Sequence, residues 1–408
     1  MSKKLEGTGK AAAARLCPLA GMPRRARQLG AGSYNRRMAQ PLDVCIRGDG
    51  IVGRTLALLL ARDRLHVGLV RHAGASGGAT SDVRAYALNA ASKDLLERLR
   101  AWPDARHATP VAAMEVHGDE GGQVRFKADA QGVPALAWIV DVQALQDRLG
   151  DALRYQPLVE MLDAPQPAAL TAVCEGKASA TRAEFGVQYD VKRYPQRAIA
   201  ARLNCEKAHG RIARQWFCDC EILAFLPLGG SDGADGNSVA IVWSVQEQRA
   251  PDLLALDHGA FEAQLEAVSH HCLGKLTLAG QRAAWPLQLA QADRWCGPGW
   301  VLAGDAAHTV HPLAGQGLNL GLADARELAR VLHERENWRG VGDLKLLRRF
   351  VRSRKPDVLA MGAATDGLQQ LFAQQAQPWA LLRNWGMTGF DRSGPLKQWV
   401  ARQAMGRL

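Results

Sequence analysis

The 408-residue chain holds no apolar run approaching the roughly twenty residues that a bilayer-crossing helix requires, so no spanning segment is expected. It lacks any C-x-x-C pair, and its eight cysteines, at 17, 45, 174, 205, 218, 220, 272 and 296, follow no regular spacing. That argues against a disulfide framework or a zinc site, and reads as reduced, mostly buried thiols in a cytoplasmic protein. Acids are scarce in one place: residues 1–37 carry nine Lys and Arg against Glu6 alone. The net charge of +11 therefore sits mainly in this head, and the nearly balanced remainder argues against nucleic acid as a partner. The head also lacks the apolar core of a signal peptide. Rich in Arg, Ala and Gly, it is expected to be a disordered basic extension, with Met38 a natural start for the folded part. A transit peptide is the alternative.

What is present is ordinary globular material, 47% hydrophobic and 22% charged, long enough for two or three domains. The stretch "LDVCIRGDGIVGRTLALLLARDRLHVGLVRH" alternates strand (42–47), turn, helix (54–62) and strand (66–70). Gly48-x-Gly50-x-x-Gly53 in that setting predicts a βαβ dinucleotide unit. One glycine serves the tight turn, one the close approach of a diphosphate, and one the helix–strand packing. The helix start then offers free N–H groups and a positive dipole end to phosphate. An acidic residue usually ends the second strand, but Arg71 and His72 stand there. Arg71 fits either a 2′-phosphate partner or a solvated strand end.

A second glycine-rich turn follows a predicted strand at 300–303. Gly304-Asp305-Ala306-Ala307-His308 leads through Pro312 to Gly315-Gln316-Gly317-Leu318-Asn319-x-Gly321, then Asp324-Ala325 on a predicted helix over 318–332. This long motif resembles that of the FAD-dependent aromatic hydroxylases (flavoprotein monooxygenases), and within them the ubiquinone-biosynthesis branch. The resemblance runs from about Leu42 to the C-terminus. It implies that Asp305 accepts hydrogen bonds from ribityl hydroxyls. It also implies that the N–H groups at Gly317, Leu318 and Asn319 face the flavin N1–C2=O edge, where a helix start stabilises the reduced ring. Gly304 and Gly315 belong to the implied cofactor-binding set, and Pro312 would lie at the flavin edge as the candidate catalytic-loop residue. One long cofactor accounts for two separate turns.

Other segments share the resemblance. "SDVRAYALNAASKDLLERLRAW" (81–102) implies that Arg84 stands beside the cofactor, a surface Arg on a helix being the alternative. "IVDVQALQDRL" (139–149) implies a contact from Gln143. "AVCEGKASATR" (172–182) resembles the family's Asp-Gly-x-x-Ser-x-x-Arg motif, which serves both FAD and passing NAD(P)H, through Gly176, Ser179 and Arg182. It implies cofactor contacts from Gly176 and from Glu175, which stands in place of the aspartate with its carboxylate displaced by one methylene. His308 and His311 form an i, i+3 pair, but no third ligand or H-E-x-x-H pattern accompanies them, so no metal is expected and both are read as loop supports.

The expected fold class is α/β with α+β elements. A Rossmann-like FAD-binding domain is assembled from 38–110, 141–185 and 296–340. An inserted β-sheet substrate domain comprises 111–140 and 186–295, and a helical C-terminal region spans 341–408. Period-2 stretches at 114–117, 124–127, 197–203, 222–226 and 239–245 predict strands of that sheet, with "GGSDGADGN" (229–237) turning a hairpin. The family reaction needs FAD, NAD(P)H as co-substrate and O2, and passes through a flavin C4a-hydroperoxide. It implies hydroxylation of a polyprenylated phenol precursor of ubiquinone. Another aromatic substrate, or a same-fold prenyl reductase, is the alternative. The basic, amphipathic tail either caps the FAD-binding domain or attaches peripherally to the inner membrane surface or to a ubiquinone-biosynthesis complex.

Overall fold

The computed structural model describes residues 41–71, 83–118, 121–218, 220–229, 236–310 and 315–373. The basic head, His72, His311, Pro312 and the tail after residue 373 lie outside the described residues.

A short apolar run makes strand Leu42–Arg47, in which Val44 and Ile46 are fully buried, as befits a strand covered on both faces. It pairs in parallel with Val67–Val70 on one side and Ala168–Val173 on the other. Val159–Leu162 and Trp300–Leu302 extend the sheet at either end, and short Cys296–Gly297 closes it antiparallel. Parallel neighbours so distant in sequence place both glycine-rich turns at the same, carboxyl edge of one sheet.

Helix Ile51–Arg62 carries the apolar stripe Leu56, Leu60 and Ala57 into the core. Each fully buried leucine contributes about 1.5–3 kcal/mol of transfer free energy. Helix Gly317–His333 packs against it, and helix Leu344–Ala373 packs on that one, burying Leu346, Leu347 and Phe350. In its described part the C-terminal region therefore caps the parallel sheet.

A three-stranded sheet (Ala85–Leu88, Ala137–Asp141, Ala108–Val111) lies on the path to a larger, mostly antiparallel one. The larger sheet contains all five predicted strands, seen as Ala113–His117, Gln123–Lys127, Tyr189–Cys205, Glu221–Leu228 and Ser238–Gln246. The last two are hairpin partners, with Leu228 opposite Ser238. Strands Ile212–Cys218 and Ala283–Ala292 belong to the same sheet and were not predicted.

The two faces of this sheet differ in size of side chain. Across three neighbouring strands Ile199, Trp243 and Leu223 stand in one row, and Ala201, Ile241 and Phe225 in another. These bulky residues pack on helix His258–Val268 through Phe261 and Leu265. The alternate rows are Ala200, Val242 and Ala224, and Arg202, Ala240 and Leu226. That smaller face turns toward the three-stranded sheet, where Ala240 and Leu226 meet Ala85 and Ile139. Arg202 pairs there with Asp141 at 2.6 Å.

Candidate active site

Among the described residues, four helices begin with a side-chain cap, from Asn89, Asp141, Ser179 and Asp257. The helices that open at the two glycine-rich turns do not. Gly50 and Gln316 precede them without a side-chain cap, and among the described residues no side chain bonds the N–H groups of either first turn. The first intrahelical bonds run from Arg54 N–H to Gly50 O and from Leu320 N–H to Gln316 O. The N–H groups of residues 51–53 and 317–319 are therefore left for another acceptor.

The first turn divides its three glycines as the chemistry requires. Gly48 has φ +110°, and a Cβ there would stand 2.5 Å from the Cys174 carbonyl oxygen. At Gly53 a Cβ would stand 1.9 Å from the Gly48 oxygen. Gly50 differs: nothing lies within 4 Å of its added Cβ, so its face is open toward a ligand. Past the next strand, Arg71 is exposed and paired with Asp163 at 3.2 Å, which is the solvated strand end.

The second turn abuts the first. Added Cβ atoms at Gly304 and Gly321 both meet the Val52 side chain, at 3.4 and 2.7 Å. Asp305 is half-buried, and among the described residues nothing donates a hydrogen bond to its carboxylate. Burial pushes that carboxyl above its ordinary value, while Lys177, His308 and Arg84 offset part of the rise. Its backbone is held firmly. The Asp305 carbonyl accepts from Tyr189 Oη at 2.9 Å, and Arg182 donates to the Ala306 carbonyl at 3.1 Å while lying 3.6 Å over the Tyr189 ring. Gly317 is open, with nothing within 4 Å of an added Cβ.

The remaining predicted residues fall into three groups. Arg84 precedes strand Ala85–Leu88 rather than lying on a helix, and it is close enough to lower the Asp305 carboxyl. Glu175 is committed to its own loop, accepting from Thr181 Oγ1 at 2.6 Å and Ser179 Oγ at 2.7 Å. Burial works against its anion, but these bonds and Arg47 hold it below the usual carboxylate range. Gly176, φ +77°, has open space where a Cβ would go. Gln143 is exposed on the first turn of its helix and bonds Asp147 at 2.9 Å.

Asn319 carries a role that sequence reasoning missed. Its side chain is buried and fully used, accepting from Asn89 N–H and Ser92 Oγ and donating to the Ala87 carbonyl at 2.9 Å. It locks the second helix start onto the 85–98 segment, leaving only its backbone N–H for a ligand. His308 is likewise buried and bonds Asp324 at 2.6 Å.

These features fit a long dinucleotide: two uncapped helix starts side by side, an open glycine face at each, and an unpartnered carboxylate beside them. The comparisons agree. An FAD-binding-domain family model matches residues 166–364. The ubiquinone hydroxylase UbiL of Rhodospirillum rubrum is 31% identical over 397 residues, covering 90% of both chains. The chain belongs to the FAD-dependent aromatic hydroxylases of the ubiquinone branch. The 3-demethoxyubiquinol 3-hydroxylase of Escherichia coli is 29% identical over 90% of this chain and 99% of its own length. Among solved structures, p-nitrophenol 4-monooxygenase PnpA of Pseudomonas putida superposes with a TM-score of 0.70 at 16% identity, covering 90% of this chain and 99% of that one. That likeness shows the fold. FAD is the family's cofactor, and NAD(P)H is its typical co-substrate.

Proposed function

We propose that the protein hydroxylates the aromatic ring of a polyprenylated phenol in ubiquinone biosynthesis, using FAD, NAD(P)H and O2. The observation that carries the cofactor reading is the pair of uncapped helix starts meeting at Val52. Gly48, Gly50 and Gly53 would receive the diphosphate, and Asp305 the ribityl hydroxyls. The N–H groups of Gly317, Leu318 and Asn319 would face the flavin's electron-rich edge. Arg84 stands on the same side, and Gly304 and Gly315 give the loop its turns. Lying outside the described residues, Pro312 keeps its proposed place at the flavin edge on the motif alone. When bound, FAD supplies the redox chemistry. The protein's own part is to orient the phenol and exclude water.

The inward face of the large sheet supports the substrate class. Ala200, Ala224 and Val242 are small and apolar, which suits an aromatic ring, while Arg202 on the same face is paired with Asp141. The division of labour follows the sheets, with the parallel one gripping FAD and the antiparallel one roofing the substrate.

Peripheral attachment to an anionic membrane surface belongs to the same proposal. Lys345, Arg348, Arg349 and Arg352 are exposed at i, i+3, i+4 and i+7 of one helix, and neighbouring Trp338 is 74% exposed. No described helix is long and apolar enough to cross a membrane. The function is tested by coupled assay: O2 uptake and NAD(P)H oxidation should rise together on adding a prenylated phenol. NAD(P)H consumption without O2 uptake favours the reductase reading.

A further inference from the structure

Asp324, in the middle of helix Gly317–His333, is completely buried and surrounded by donors from two separate parts of the chain, the 304–308 turn and the C-terminal helix. Its Oδ2 accepts from the Gly304 N–H at 3.0 Å and from His308 Nε2 at 2.6 Å. Its Oδ1 accepts from Arg354 Nε at 2.9 Å. Arg354 belongs to helix Leu344–Ala373, is itself only 7% exposed, and donates with Nη1 to Asp357 at 2.6 Å. Its Nη2 is buried without an acceptor among the described residues.

Gly304 immediately precedes Asp305, and φ +62° at Gly304 sets the direction in which that carboxylate leaves the strand. The Gly304 amide and the guanidinium share one buried carboxylate, so the C-terminal helix and the cofactor turn are tied through a single side chain. A buried carboxylate that loses one of its charged partners is strongly destabilised and turns or recruits water. Its hold on the remaining donors then loosens.

We propose that Arg354 is a positioning residue for the flavin, which through Asp324 fixes the Gly304–Asp305 turn and so couples the C-terminal helix to the ribityl end of the cofactor. The inference rests on Asp305 being the ribityl acceptor. Arg354 touches neither cofactor nor substrate in this scheme. Its removal should be felt at one end of FAD only, because the diphosphate turn at Gly48–Gly53 has its own support from the Cys174 segment.

The test compares two ligands on deflavinated protein whose fold is verified by circular dichroism. FAD binding is read from quenching of flavin fluorescence, and ADP, which has only the adenine and diphosphate end, from calorimetry. Arg354→Met should weaken FAD at least tenfold and change ADP affinity less than twofold, with Arg354→Lys recovering part of the FAD loss. Parallel losses of FAD and ADP, or unchanged FAD affinity in Arg354→Met, would overturn the proposal. Should the Met variant not fold, Arg354→Lys carries the same comparison, again with FAD weakened and ADP not. Asp305→Ala separates the two readings. Native-like FAD affinity in that variant removes the ribityl assignment and this inference together, whereas a loss there beside normal binding in Arg354→Met removes the inference alone.

Discussion

Substituting Gly50 with alanine separates the cost to the fold from the cost to the cofactor. Gly50 adopts φ −69° and ψ −179°, a conformation open to any residue, and an added methyl meets no atom within 4 Å. By restricting the unfolded chain, the substitution should leave the cofactor-free protein as stable as before or about 0.4–1 kcal/mol more stable. The same methyl points into the space through which a diphosphate must approach the N–H groups of residues 51–53. Lengthening several such charge-assisted bonds, each worth about 1.5–3 kcal/mol, should weaken FAD by at least one order of magnitude. Gly53→Ala is the internal contrast. Its methyl would start 1.9 Å from the Gly48 backbone oxygen and 3.4 Å from Cys174 Cβ, so the helix must shift. Overpacking of that kind costs about 1–3 kcal/mol or more and should lower Tm as well as FAD content. Thermal melts of the apoprotein and FAD titrations check both variants. A Gly50→Ala protein that binds FAD as tightly as the native one refutes the assignment of this open face to the diphosphate.

Asp305→Ala should purify colourless, and flavin absorbance at native stoichiometry contradicts its assigned role. In the native protein the raised Asp305 carboxyl should make FAD bind more tightly as pH rises through its elevated value, and Asp305→Asn should flatten that profile. Asp324 has the opposite sign. His308 and Arg354 outweigh its burial and hold it below the ordinary aspartate value of about 3.9, so its contribution to stability is intact at neutral pH. It is lost as pH falls through the lower folded value, and urea midpoints measured against pH should show Asp324→Asn less stable at pH 7 with a shallower acid decline. On the inward face of the large sheet, Ala224→Phe should raise KM for a prenylated phenol while sparing FAD content; an unchanged KM counts against that face as the substrate roof. Reversing the charges of Lys345, Arg348 and Arg352 should abolish salt-sensitive sedimentation with anionic vesicles, and undiminished binding places the membrane contact elsewhere.

The two cofactor turns were legible because their chemistry is local. Glycine spacing, a preceding apolar strand and a following helix all lie within a dozen or so residues. The hairpin over 222–245 was legible for the same reason, through alternation on both sides of a glycine cluster. Strand Ala283–Ala292 escaped because its alanines, glutamines and Pro286 have low strand propensity. The proline is tolerated where the pairing with Tyr189–Cys205 slips, between Arg193 and Arg197. Strand Ile212–Cys218 pairs in parallel with Ala113–His117, a partner distant in sequence. The commitments of Asn319 to Asn89 and Ser92, and of Arg354 to Asp324, are tertiary, and no spacing in the chain announces them. The use of Glu175 was equally hidden: standing where the motif has an aspartate, it caps its own loop, with its oxygens engaged by Ser179 and Thr181.

Hydroxylation by this chain places one oxygen atom of O2 on an aromatic ring. It is tested by mass spectrometry of the product formed by the FAD-loaded protein from a prenylated phenol, NAD(P)H and isotopically labelled O2. The expected product is a ring that has gained a single labelled oxygen. A product that has gained only two hydrogens on its prenyl chain, with no label, contradicts hydroxylation.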